Sequence, residues 1–213
     1  MTEQQFVAFL ERNSQFHEQV AENLAQLAPF PDQRYDLSLK SALLSAEHGA
    51  AAFVLISGQL YAPGYTLLST QFETLVRGIW FMYAANDVWI EKLSQPLTEE
   101  TAEAAKNALM LDKMLKGLRA SESAPSALLE QLEACRDVMW KTLNSYTHGG
   151  FHPLARLESG YPPQLSYDVL RNSNAMVALA SQLAAIVSGD QRNMIPVRTL
   201  HTEFADCLPI IKQ

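Results

Sequence analysis

The stretch DLSLKSALLSAEHGAAAFVLISGQLYAPGYTLLSTQFETLVRGIWFMYAA, Asp36 to Ala85, decides the fold. Apolar residues surround the chain almost completely from Gly49 to Ile56, which predicts a centrally placed helix over Asp36–Gln59. Asp36 or Ser38 is placed to cap it. Leu67, Leu68, Phe72, Leu75, Val76, Ile79, Trp80, Met82 and Tyr83 recur at helical spacing, which predicts a second helix from Pro63 to Ala85. Pro63 suits the first turn of that helix, where no N–H is needed. The connection is so short that the two helices must fold back on each other as an antiparallel hairpin.

Working outward, the same periodicity predicts more helices and no strands. Phe6, Phe9, Leu10, Phe16, Val20, Leu24 and Leu27 mark one face of a helix over Thr2–Leu27, which Pro29 and Pro31 end. Residues 86–95 form a turn or short helix, and a more exposed helix follows over Thr98–Arg119. Leu128, Leu132, Cys135, Met139, Leu143 and Tyr146 stripe a helix that reaches His148 and stops at Gly149-Gly150. Phe151–Pro163 reads as irregular, Gln164–Val187 as helix, and Asn193–Leu208 as a closing segment. The expectation is one all-α domain over residues 1–213, an antiparallel bundle of five to seven helices.

Composition narrows the function classes. The formal net charge is −7, which disfavours broad binding to nucleic-acid phosphates. The two cysteines, Cys135 and Cys207, stand apart among apolar neighbours and read as small hydrophobes in a reducing compartment. The N-terminus is polar, then amphipathic, with no secretory pattern. The longest strongly apolar run, Gly49–Gly58, is too short to span a bilayer. A cytoplasmic protein with no membrane partner is therefore expected. There is no G-x-S-x-G, P-loop, G-x-G-x-x-G or C-x-x-C, and no histidine has a glutamate three residues before it. No cofactor and no metal site are expected.

The chemistry concentrates at Leu143-Asn144-Ser145-Tyr146-Thr147-His148-Gly149-Gly150. Asn144 and His148 are four residues apart and share a helix face, which Lys141 extends toward the N-terminus. A histidine here can also serve only to finish the helix, since its cationic form favours the negative end. His152, Arg156 and Tyr161 follow in the presumed loop, placed to line a pocket with His148 or to lie in solvent. A second cluster comes from the hairpin. Counted outward from Leu60–Tyr61, His48 falls level with Glu73, with Glu47 beside it and Arg77 one turn beyond Glu73. These four groups are expected to pair inside the bundle, because burying them unpaired is costly.

The segment Asn144 to Gly149 resembles the signature of HEPN domains, in which an Arg precedes the Asn and a His-Gly follows. Leu143 stands where that Arg belongs. The hairpin Ser45–Tyr83 is also similar, with its Ala-rich first helix and Phe72-Glu73 and Arg77 in the second. The resemblance spans Leu39 to Val187 and implies a HEPN-like bundle, commonly a homodimer. It also implies bacterial defence or toxin–antitoxin biology, with an antitoxin or defence-system protein as partner. Complete HEPN sites cleave RNA without metal, the His and Arg assisting 2′-hydroxyl attack on the adjacent phosphate. Here that role implies His148 and Asn144, with Arg77 as a substitute cation. Without the motif Arg, the resemblance leans to a non-catalytic module that binds a protein, RNA or nucleotide. The alternative is an endoribonuclease built on His148.

Overall fold

In the computed structural model, residues 1–105 and 110–209 are described, except for the side chains of residues 138–142. Every regular element among them is a helix. The five longest are α1 (Glu3–Ala25), α2 (Gln33–Ser57), α3 (Tyr61–Tyr83), α7 (Ser126–Thr147) and α9 (Pro163–Val187). Shorter ones complete the chain: α4 (Asp87–Leu93), α5 (Glu99–Ala105), α6 (Leu111–Ala120), α8 (Phe151–Ser159) and α10 (Met194–Glu203). Single 3₁₀ turns flank α10.

The described residues thus carry ten α-helices rather than five to seven. The helix expected over Thr98–Arg119 does not run through: Met110 is extended, which lets α6 turn Leu111, Met114, Leu115 and Leu118 into the core. Residues 86–95 and the stretch read as irregular after Gly150 both wind into short helices. Asp32, not Asp36 or Ser38, caps α2 by accepting from the Arg34 N–H at 2.7 Å. Thr2 and Gln5 form a reciprocal capping box on α1.

The α2–α3 hairpin is the centre of the molecule. Gln59 takes a φ of 62° to make the reversal, a conformation uncommon for a residue with a side chain. Ser38 Oγ donates to the Gly78 carbonyl at 2.6 Å, and Ser45 Oγ donates to the Gln71 carbonyl at 3.0 Å. The helices lie close because small residues face each other, Gly78 resting on Ser38 and Ser41.

The bundle is not purely antiparallel. Tyr65 meets Ser166 and Gln71 meets Ser173, so α9 runs in the same direction as α3. Phe9 meets Tyr167 and Asn13 meets Asn174, so α1 also parallels α9. The long excursion through α4–α8 carries the chain back to the end where α3 began. One hydrophobic core joins residues from α1 through Leu208. α2 is long and apolar enough to cross a membrane by composition. Packing against α3 and α9 buries 39% of that apolar stretch.

Candidate functional site

Leu143 is buried, 4% exposed, so the motif position that calls for a cation faces the core. Asn144 is half-buried and His148, the residue closing α7, is exposed. Neither side chain makes a hydrogen bond to a described residue, although the His148 N–H donates to the Asn144 carbonyl at 3.1 Å. Ser145, which the sequence reading passes over, organises the turn. Its carbonyl accepts from the Gly150 N–H at 2.7 Å, and its hydroxyl accepts from the His152 N–H at 3.0 Å. Gly149 takes a φ of 60°, the left-handed conformation that ends α7. A Cβ on Gly150 would lie 2.8 Å from Ser145 Oγ, so glycine lets α8 start tight against α7.

Beside this turn stands a group of aromatic rings. Tyr61 stacks on Tyr161 at 4.7 Å, and Tyr65 meets Tyr146 and Tyr161 edge-on at 5.1 and 5.5 Å. His152 lies parallel to Tyr146 at 6.5 Å. Tyr65 OH and Ser166 Oγ share a buried hydrogen bond of 2.9 Å. Burial, followed by the phenol of Tyr161, pushes the Tyr146 hydroxyl up to about 12, against the opposing pull of Arg156. The Tyr161 hydroxyl is closed off from solvent and has no hydrogen-bond partner among the described residues. Ser69 on α3 bonds Thr147 at 2.9 Å and fixes α3 against the end of α7.

Of the expected residues, His152, Arg156 and Tyr161 therefore gather round Tyr146, while the exposed His148 side chain, two residues on, has no contact with them among the described residues. His152 is exposed and Arg156 half-buried, within 3.4 Å of the Gly160 carbonyl. Lys141 lies on α7, but its side chain is outside the described residues. Arg77 does not join them. It lies eight residues along α3 from Ser69, roughly 12 Å by helical rise, and its guanidinium bonds Glu73 at 2.8 Å.

The four-group cluster expected inside the bundle does not form. Ser45 sits against Gln71. His48, three residues further along α2, is therefore level with Leu68, not Glu73. The reversal occupies Gly58–Leu60, earlier than the count assumed. Glu47 is exposed, His48 half-buried, and the Glu73–Arg77 pair is itself partly solvated. The interior polar contacts use neutral groups instead. Gln71 Nε2 donates to the Ser173 carbonyl at 3.0 Å, and Ser173 Oγ donates to Gln71 Oε1 at 2.8 Å. Neutral amides and hydroxyls escape the large desolvation cost of charges.

A second interior polar group joins α1, α9 and the chain's end. Asn174 Nδ2 donates to Asn13 Oδ1 at 2.5 Å and to the Cys207 carbonyl at 2.9 Å. The His17 ring stacks on Phe53 at 5.1 Å, with Nε2 shut off from solvent. Burial, partly offset by Asn174, lowers its pKa to about 4. The unfolded chain takes up that proton near pH 6.5 and the folded chain resists it. His17 therefore contributes stability above pH ~6.5 that is lost as pH falls toward 4. In chemical denaturation across pH 7.5 to 4, His17→Phe should show a shallower decline than wild type. Equal slopes would exclude His17 as the titrating group.

Cys207 is buried and Cys135 half-buried, both as free thiols. Burial raises both thiol pKa values, Cys207 to about 12. Among the described residues, no three His, Cys, Asp or Glu side chains gather closely enough to share a metal ion. A wide depression of about 790 Å³ lies at the opposite end of α3 from the α7–α8 turn, among Asp32, Arg34, Asp87 and Glu91. Its Arg34 is already engaged, donating to the carbonyls of Phe81 and Ala85 and to Asp87.

Residues 42–210, most of the chain, match the model of a family of unknown function, DUF6988. The chain belongs to that family. No curated protein and no solved structure matches it. The DUF6988 match takes in α3, the α7–α8 turn and the segment from α8 to α9, which together supply the aromatic group and the motif residues.

Proposed function

We propose that this chain is a HEPN-like but non-catalytic protein that acts by binding a partner in the bacterial cytoplasm, in defence or toxin–antitoxin biology. The observation that carries the reading is Leu143, 4% exposed where the HEPN signature has its arginine. A buried leucine offers a phosphate neither charge nor a hydrogen-bond donor. Binding is favoured by α8, which starts three residues after His148. Phe151, Leu154 and Leu157 on α8 are each 63–78% exposed, on one broad side of the helix. Exposed apolar patches of this kind mark interaction surfaces. The partner is an antitoxin or defence-system protein, and the chain itself is a homodimer.

A specific observation supports the second reading, a metal-independent ribonuclease. His148 is solvent-exposed with its imidazole unengaged among the described residues, and α8 brings a cation, Arg156, beside Tyr146, two residues before it.

One experiment separates the two. Purified protein is incubated with single-stranded RNA in excess EDTA, beside His148→Ala and Arg156→Ala. The binding reading expects no cleavage above buffer in any sample. EDTA-resistant cleavage by wild type, lost at least about a hundredfold in His148→Ala, establishes the ribonuclease instead. On the binding side, Leu154→Asp should leave stability within about 0.5 kcal/mol. It should weaken association with a co-purifying partner at least about tenfold.

A further inference from the structure

The outward face of α2 carries apolar side chains that the described residues leave partly exposed. Leu43, Leu44 and Val54 are exposed there, together with Lys40 and Glu47. At about 100° per residue, all five fall within one arc of roughly 100°. Leu43 and Leu44 flank the arc, and Lys40 and Glu47 lie along its midline. Ala50 and Ala51 continue the face, small enough to admit a neighbouring helix closely. Lys40 bonds Asp36 at 2.6 Å, whereas Glu47 has no ionic or hydrogen-bond partner among the described residues.

We propose that this face binds the same face of a second copy, with α2 antiparallel to its counterpart and a two-fold axis between Leu43 and Leu44. The charge order selects that occupant. Lys40 lies three residues before Leu43, and Glu47 three residues after Leu44. A two-fold axis between the leucines therefore sets each Lys40 against the Glu47 of the other copy. The pair forms twice, as isologous contacts require. Each leucine meets its neighbour's counterpart, which excludes water around the ion pairs. The α8 face, though more exposed, has no such self-complementarity. The charged residue on that face is Glu158, about 40° round the helix from Leu154, and a two-fold axis through Leu154 would set it against the other copy's Gly150, with no cation to meet it.

The inference rests on the homodimer within the proposed function and is independent of the HEPN likeness. It assigns self-association to α2 and leaves α8 free for a different partner.

The test is sedimentation velocity on the full chain across the micromolar range. Wild type should sediment at twice the 23.7 kDa chain mass. Glu47→Lys and Lys40→Glu should each weaken the dimer at least about tenfold, because each sets like charges together twice. The combined Lys40→Glu/Glu47→Lys variant should recover most of that loss, which mere damage to α2 would not allow. Leu154→Asp should leave the dimer unchanged. A dimer indifferent to both reversals, or one not rescued by the swap, overturns this surface while leaving the homodimer in place. A monomer at every concentration overturns both. Flotation of wild type with phosphatidylcholine–phosphatidylglycerol vesicles, abolished by Leu43→Asp, would give the face to a lipid surface and overturn the proposal.

Discussion

Leu143→Arg is expected to destabilise the protein by about 4 kcal/mol or more and to create no ribonuclease activity. Restoring the arginine of the HEPN signature looks, on the sequence, like the way to recover a catalytic site. The structure puts that side chain in the core, on the α7 stripe with Leu132 and Tyr146. A guanidinium there loses its water and finds no carboxylate, since the nearby aromatic group offers only phenols and a serine. The melting temperature should drop by about 10 °C or more, at a few degrees per kcal/mol for a chain of this length. Leu143→Met should stay close to wild type, because it conserves volume and apolarity. A stable Leu143→Arg variant that cleaves RNA in EDTA would refute this expectation and reinstate the catalytic reading.

Gly78→Val should cost about 3 kcal/mol by overpacking. An added Cβ at Gly78 would lie 2.9 Å from Leu183 Cδ2, 3.0 Å from Ser41 Cβ and 3.2 Å from the Ser38 carbonyl. The leucine can rotate away, but the α2 backbone cannot give way without separating the central hairpin. Such a shift also strains the Ser38 bond to the Gly78 carbonyl. In urea, the midpoint should fall with an unchanged slope if the native packing alone is disturbed. Gly78→Ala should show a smaller loss of the same kind. Gly117→Ala should be milder still, since its Cβ would approach nothing closer than the edge of Trp80 at 3.3 Å. A Gly78→Val protein as stable as wild type would mean that α2 and α3 do not meet there.

The long helices were legible because burial at helical spacing is a local pattern. Phe6, Phe9, Phe16, Val20 and Leu24 line the buried side of α1 as the spacing predicts. α8 was missed because its apolar residues, Phe151, Leu154 and Leu157, face outward on only nine residues interrupted by Pro153. The Glu73–Arg77 pair followed from spacing within a single helix. Its expected meeting with His48 required the register between two helices, and that depended on where Gln59 turns the chain. Gln71–Ser173 and Asn13–Asn174 left no local signal, since a buried amide and a surface amide have the same sequence context.

By itself, the sequence determined an all-α chain, the central α2–α3 hairpin, the end of α7 at His148 and the neutral character of Leu143. Each of these follows from side-chain periodicity, proline and glycine placement, or residue chemistry, all of which act over a few neighbouring positions. Only the tertiary structure decided that Leu143 points into the core and that Arg77 is held away from His148. It also decided that α9 parallels α3, and that apolar side chains on α2 and α8 stay exposed among the described residues. Those outcomes depend on the relative rotation and register of helices distant in sequence. Such terms are set by the fit of side chains across several interfaces at once, and no short segment encodes them.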